Sequence, residues 1–252
     1  MAGDFVWFDL MTDDPDGAAA FYSAVTGWEL EVWEQAAYTM FKASDGATVG
    51  GIRQLPREAQ EKGAGPHWLP YITVADADAA GERAAELGGE LFMAGEDIPG
   101  VGRFCIVGDP DGVPIAPFVP ENDMSSVHPA PVGHVAWTEL MASDRDQSLA
   151  FYCGLFGWVG HSQIDMAPMG IYQLFGAPGA ERSEGGMMNW SETPAFWTFY
   201  VRVTDLDAAV ARVTELGGTV TSGIQEVPGG DHVAVCRDPQ GASFAIHHHA
   251  ED

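Results

Sequence analysis

Positive charge is scarce in this sequence. Eleven lysines and arginines stand against 37 aspartates and glutamates in 252 residues, a formal charge of −26 at pH 7. Such a surface repels nucleic-acid backbones and anionic membranes, so neither is expected as a partner. Cysteine is almost as rare. Cys105, Cys153 and Cys236 are an odd number with no C-x-x-C spacing, which excludes a disulfide framework and a zinc knuckle. No apolar run approaches the ~18 residues of a membrane-spanning helix, and no basic segment followed by an apolar one opens the chain. The expectation is a soluble, cytoplasmic protein.

Apolar residues are plentiful, at 46% with 8 Trp and 13 Phe, so a large core is available and global disorder is excluded. The length suits two domains.

An internal repeat supports that division. FVWFDLMTDDPDGAAAFYSAVTGW, from Phe5, matches VAWTELMASDRDQSLAFYCGLFGW, from Val135, without a gap. Trp7 falls on Trp137, Phe21-Tyr22 on Phe151-Tyr152 and Gly27-Trp28 on Gly157-Trp158, a shift of 130. Later, VADADAAGERAAELGG matches VTDLDAAVARVTELGG, and VGDPDG matches CRDPQG, both at a shift of 129. The predicted domains are residues 1–120 and 133–252, joined by a linker at 121–132 rich in Pro, Ser and Asn.

Each half divides again. FVWFDLM alternates as a strand does, and DDPDGAAAFYSAVTG carries acidic residues at a helix start and Gly27 at its end. Strands are expected near Glu29–Trp33, Tyr38–Lys42 and Thr48–Arg53. The pattern restarts with HWLPYITV, a helix stopped by Gly88, and strands near Leu91, Phe104 and Ile115. Strand, helix and three strands recur four times along the chain, which predicts an α+β fold of curved, mostly antiparallel sheets with helices outside.

In these features the chain resembles the vicinal oxygen chelate superfamily of glyoxalases, bleomycin-resistance proteins and extradiol dioxygenases. The motifs are the FYxxxxGW entry in both halves, the D-x-D-x-A helix start with LGG, and the late DP-x-G turn. The resemblance implies tandem glyoxalase-like domains, each of paired βαβββ modules forming cup-shaped mixed sheets. Fold resemblance does not fix function.

Metal-dependent members take His, Gln or Glu ligands from four strands. Here the corresponding positions are Trp7 and Trp137, Gly51 and Gly186, Pro70 and Phe199, and Ala116 and Ala245. None of these side chains binds a metal, so neither a family-type metal nor a cofactor is expected. Aligning instead on the GHV start makes His134 a ligand, but a lone histidine falls short of the roughly three ligands a catalytic site needs.

If those positions face a cavity, as the resemblance implies, it is apolar and aromatic-walled, suited to a planar or hydrophobic organic molecule. Trp7, Trp137, Trp68, Trp197 and Phe199 are wall candidates; for Trp7 and Trp137 the alternative is simple core filling. Asp9 and Glu139 share the tryptophans' strand face. Each is a candidate acid or base in an apolar cup, or alternatively a carboxylate paired with Arg103 or capping a loop. His247 lies two residues after Ala245 on the same face, and Arg103 and His232 are matched positions able to reach a pocket mouth.

Three functions follow from these readings: a metal-independent acid/base enzyme on a small organic molecule, a non-catalytic sequestration protein, and a metalloenzyme with relocated ligands. The expected partner is a small molecule, neutral or cationic, with the protein a monomer or a homodimer.

Overall fold

The computed structural model describes residues 3–34, 38–124, 129–191 and 194–250. The first half runs β1 (Phe5–Thr12), α1 (Pro15–Thr26), β2 (Glu29–Trp33), β3 (Tyr38–Lys42), β4 (Thr48–Gln54), α2 (Arg57–Glu61), β5 (His67–Thr73), α3 (Ala77–Glu86), β6 (Glu90–Ile98), β7 (Gly102–Gly108) and β8 (Pro114–Pro120). The second runs β9 (Val135–Ala142), α4 (Arg145–Phe156), β10 (Val159–Asp165), β11 (Ile171–Gly176), β12 (Gly185–Asn189), β13 (Phe196–Arg202), α5 (Leu206–Glu215), β14 (Thr219–Val220), β15 (Gln225–Glu226), β16 (His232–Arg237) and β17 (Ser243–His248). The expected modules are all present, with the short α2 added between the first two. Residues 125–128, within the predicted linker, lie outside the described residues.

The strands form two mixed sheets, ordered β2-β3-β4-β1-β5-β8-β7-β6 and β10-β11-β12-β9-β13-β17-β16-β14, with β15 paired to β16. Hairpin neighbours are antiparallel, and the first and last strands of each module are parallel, for example β1 with β4 and β13 with β17. Helix starts follow the acidic signal. The Asp14 carboxylate accepts from Gly17 N at 3.0 Å, with Pro15 in the first turn, and Asp144 accepts from Asp146 and Gln147 N. Gly27 and Gly157 end α1 and α4 at φ 78° and 73°, where a side chain would be strained.

By contacts the chain gathers into two compact units, each drawing on both sequence halves: Met1–Trp7, Leu69–Ser126 and Thr138–Trp197; and Phe8–Trp68, Val127–Trp137 and Thr198–Asp252. In the first, the Trp158 indole donates to Gly3 O at 2.7 Å and stacks on Phe175 at 4.7 Å. In the second, Trp28 donates to Gly133 O at 2.7 Å and packs on Phe41 at 4.6 Å. The GW motif is thus a helix stop followed by a buried tryptophan tied to the backbone just ahead of a module-opening strand. No helix among the described residues is long and apolar enough to cross a membrane.

Candidate functional site

The FY and DP-x-G motifs meet in the core. Tyr22 donates its hydroxyl to Asp238 Oδ2 at 3.1 Å, and Asp238 Oδ1 accepts from the amides of Gln240, Gly241 and Ala242. In the other unit Tyr152 donates to Asp109 Oδ2 at 2.9 Å, while Asp109 Oδ1 takes the amides of Asp111 and Val113. Burial raises Asp109 to about 6 and pushes Asp238 upward as well. Burial, then the adjoining carboxylate, holds both tyrosines well above the usual phenol range. With every oxygen committed, these pairs are structural pins.

Asp9 is 2% exposed on β1. It accepts a short hydrogen bond from the Tyr38 hydroxyl and pairs with Arg53 Nε at 3.3 Å, and that guanidinium lies over the Tyr38 ring. Gly51 makes this possible: it sits opposite Asp9 in the β1–β4 register, and a Cβ there would collide with Tyr38. The partner of Asp9 is therefore Arg53 and not Arg103, which is held by Asp78 at 2.9 and 3.0 Å and by Asp97 at 2.9 Å on the surface. Glu139, half-buried, repeats the geometry in part: it sits opposite Gly186, whose missing side chain is replaced by the Tyr172 ring. Met188 takes the register position that Arg53 holds beside Asp9.

The strand faces differ from the alignment by one residue. Ala116 and Ala245 are paired with Tyr71 and Tyr200, not with Pro70 and Phe199. Phe199 turns to the other side of β13 and packs on Phe8 at 4.6 Å. Trp68 and Trp197 are core residues too. Trp68, 5% exposed, donates to the Tyr22 hydroxyl at 3.1 Å; Trp197, 3% exposed, meets Tyr152 edge-on at 5.4 Å. Trp7 is half-buried on β1.

The residues at the family's metal positions do not fit a metal. Gly51 and Gly186 are filled by tyrosine rings, and Ala116 and Ala245 offer no donor. His134 pairs with Asp45 at 2.9 Å. Among the described residues no three His, Cys, Asp or Glu side chains gather in a way that could hold an ion.

The two halves differ around these alanines. On β17, Phe244 faces α1, with Tyr22 at 5.1 Å and Phe21 at 5.8 Å, so Ala245 and His247 face the opposite side. There Tyr200, Val233 and Ala245 form a small apolar cluster, over which Trp137, Val227 and Val235 pack while remaining half-buried. His247 lies beside Val233 and Arg202 in the strand register. Its Nε2 is 2.8 Å from Asp231 Oδ2, and His249 Nδ1 is 2.7 Å from Oδ1 of the same carboxylate. Burial lowers His247 below the ordinary imidazole range, with Asp231 opposing.

In the first half the corresponding face carries Tyr71, Phe104 and Phe118, at 3%, 1% and 2% exposure, with ring centroids 5.4 and 5.8 Å apart. Phe118 stands where His247 does, at a shift of 129. Aromatic rings fill the middle of that face, while Trp7, Ile98 and Ile106 around it stay half-buried. His232 and His248 point the other way from His247 and line a separate cavity of about 480 Å³ with Thr204, Asp205 and Ile224. Sequence reasoning missed Asp231, Arg202, Tyr38 and Arg53. None of them carries a local signal, because each acts through a partner far away in the chain.

Residues 5–116 match the glyoxalase-like domain model, and residues 132–246 match that of the glyoxalase/bleomycin resistance protein/dioxygenase superfamily. CFP32 of Mycobacterium tuberculosis, provisionally named a glyoxylase, is 31% identical over 95% of this chain and 92% of its own. The chain belongs to this superfamily. The anthracycline biosynthesis protein DauV of Streptomyces sp. is 28% identical over 95% of this chain and 91% of its own. The Mn(II)-bound glyoxalase of Novosphingobium aromaticivorans superposes with a TM-score of 0.67 at 15% identity, covering 99% of this chain and 83% of that one. The catechol dioxygenase BphC gives 0.67 at 13% identity, covering 98% and 87%. These structural likenesses show the fold.

Proposed function

We propose that this protein binds a small, uncharged aromatic molecule on the Ala245 face of its C-terminal half. One observation carries the reading. Trp137, Val227 and Val235 stay half-buried around Ala245, as their counterparts Trp7, Ile98 and Ile106 do in the first half, but here the face carries the polar pair His247 and Arg202, where the first half has Phe118 and Thr73. Apolar walls with a few polar groups are what a planar organic ligand requires. The names of DauV and its relative DnrV, both anthracycline biosynthesis proteins, support a polycyclic aromatic class.

The probe should be neutral, since a cationic drug would adhere to a chain of charge −26 without regard to the site. Titration with a neutral hydroxyanthraquinone is expected to quench tryptophan fluorescence saturably. Trp137→Ala should weaken binding about tenfold, through a stacking partner worth about 0.5–1.5 kcal/mol plus the lost area. Phe118→Ala should leave the affinity unchanged. Equal affinities in wild type and Trp137→Ala, or a loss confined to Phe118→Ala, would sink the reading.

A further inference from the structure

We propose that His247, oriented by Asp231, is the proton-transfer group of this site, acting on a phenolic hydroxyl or an enolisable carbon of a bound aromatic ketone. The inference rests on the binding reading above and goes beyond it. It starts from the two nitrogens of one imidazole. Nε2 is engaged by Asp231 at 2.8 Å, which fixes the ring and its tautomer: Nε2 carries the hydrogen and Nδ1 the lone pair. Nδ1 is buried and has no hydrogen-bond partner among the described residues. A buried acceptor left without a donor is costly, and a ligand hydroxyl meeting it removes that cost.

The ionisable groups that act on the ring among the described residues, Asp231, Arg202 and His249, suit this role. Asp231, on the loop before β16, stabilises the imidazolium once it forms. Arg202, on β13 beside His247, is a cation next to the developing phenolate or enolate. His249 stacks on His247 at 6.4 Å and shares Asp231, and Tyr200 lies one register step away, opposite Ala245. The step balances: the substrate O–H or C–H bond breaks, its proton passes to Nδ1, and the electron pair stays on the substrate as an anion beside Arg202. Reversal returns the proton to the same or another atom. No metal and no oxidant enters the step. Gly229 and Gly230, both at positive φ (109° and 90°), form the turn that Val227 and Asp231 close, and so place the Asp231 carboxylate against His247. In the first half, Phe118 and Gly102 stand at the positions of His247 and Asp231, so the dyad belongs to one half alone.

Alizarin, 1,2-dihydroxyanthraquinone, tests this directly, because ionisation of its phenol changes its visible colour. Bound to the wild-type protein, the dye is expected to ionise about one pH unit or more below the free dye, the size of shift produced by a neighbouring base and cation. In His247→Gln, tryptophan quenching should persist while the ionisation of the bound dye moves back toward that of the free dye. Asp231→Asn should lie between the two. Wild-type protein that binds the dye but ionises it no more readily than water overturns the proposal and leaves the binding reading standing. So does a His247→Gln variant that matches wild type. Failure of the dye to quench wild-type fluorescence counts against the binding reading itself, and the proton-transfer proposal falls with it. If His247→Gln lacks a native near-ultraviolet dichroism spectrum, Asp231→Asn decides on the same criterion.

Discussion

Replacing Asp238 with alanine is expected to lower folding stability by about 3–5 kcal/mol, among the largest effects a single substitution has. The carboxylate is 3% exposed and accepts from three backbone amides and the Tyr22 hydroxyl. Alanine leaves the Tyr22 hydroxyl and the Ala242 amide buried without this acceptor, at about 1–3 kcal/mol for each one that water cannot reach, and loosens the turn that the Gln240 and Gly241 amides close. Chemical denaturation measures this. A loss near the roughly 1 kcal/mol expected for the exposed helix cap Asp14→Ala would show that the pin is dispensable.

The sister pin gives a pH dependence of unusual sign. Burial raises Asp109 to about 6 in the folded protein, against about 3.9 in an unfolded chain. Between those values the folded state holds a proton that the unfolded state has released. The stability contributed by this group is therefore greatest in acid, declines as pH rises toward about 6, and is flat above that. Unfolding of wild type against Asp109→Asn between pH 5 and 7 should show the difference shrinking upward through pH 6. A difference that grows with pH would reverse the assignment.

Trp197→Ala should cost a further large sum, about 3–5 kcal/mol, the range for removing a fully packed aromatic. Trp197 is 3% exposed among Phe5, Tyr152 and Phe175. The contrast with Trp137 is the informative part. Trp137→Ala should cost distinctly less stability while weakening the ligand, and Trp197→Ala should unfold the protein more easily without a change in affinity measured where it remains folded. The opposite pattern would make Trp197 the pocket wall and Trp137 the core.

Much of the fold is legible in the residues themselves. The ungapped FY…GW repeat places two helices and their stops, because an acidic cap before and a left-handed glycine after act locally. What those motifs do is not legible. Tyr22 and Asp238 lie 216 positions apart, and nothing in either segment names its partner. The strand faces fail for a different reason. HWLPYITV and FWTFYVR are apolar but for His67, Thr73, Thr198 and Arg202 and are buried along most of their length, so no alternation sets which residue faces which way. A one-residue slip then puts Phe199 where Tyr200 belongs. For Asp9 the sequence offers an acid/base role, a pairing with Arg103 or a loop cap; the β1–β4 register, which a single sequence does not contain, sets Arg53 beside it. His247 is legible as a neighbour of Ala245. Asp231 is not, since PGGDH reads only as a turn.

The most direct test of the central claim is a crystal structure of the protein soaked with a neutral hydroxyanthraquinone. The account predicts one ring system per chain lying against Trp137 and Tyr200, with a hydroxyl within hydrogen-bond distance of His247 Nδ1 and the face of Tyr71, Phe104 and Phe118 left empty. A ligand seated on that first-half face instead, or in the cavity beside His232 and His248, would contradict it.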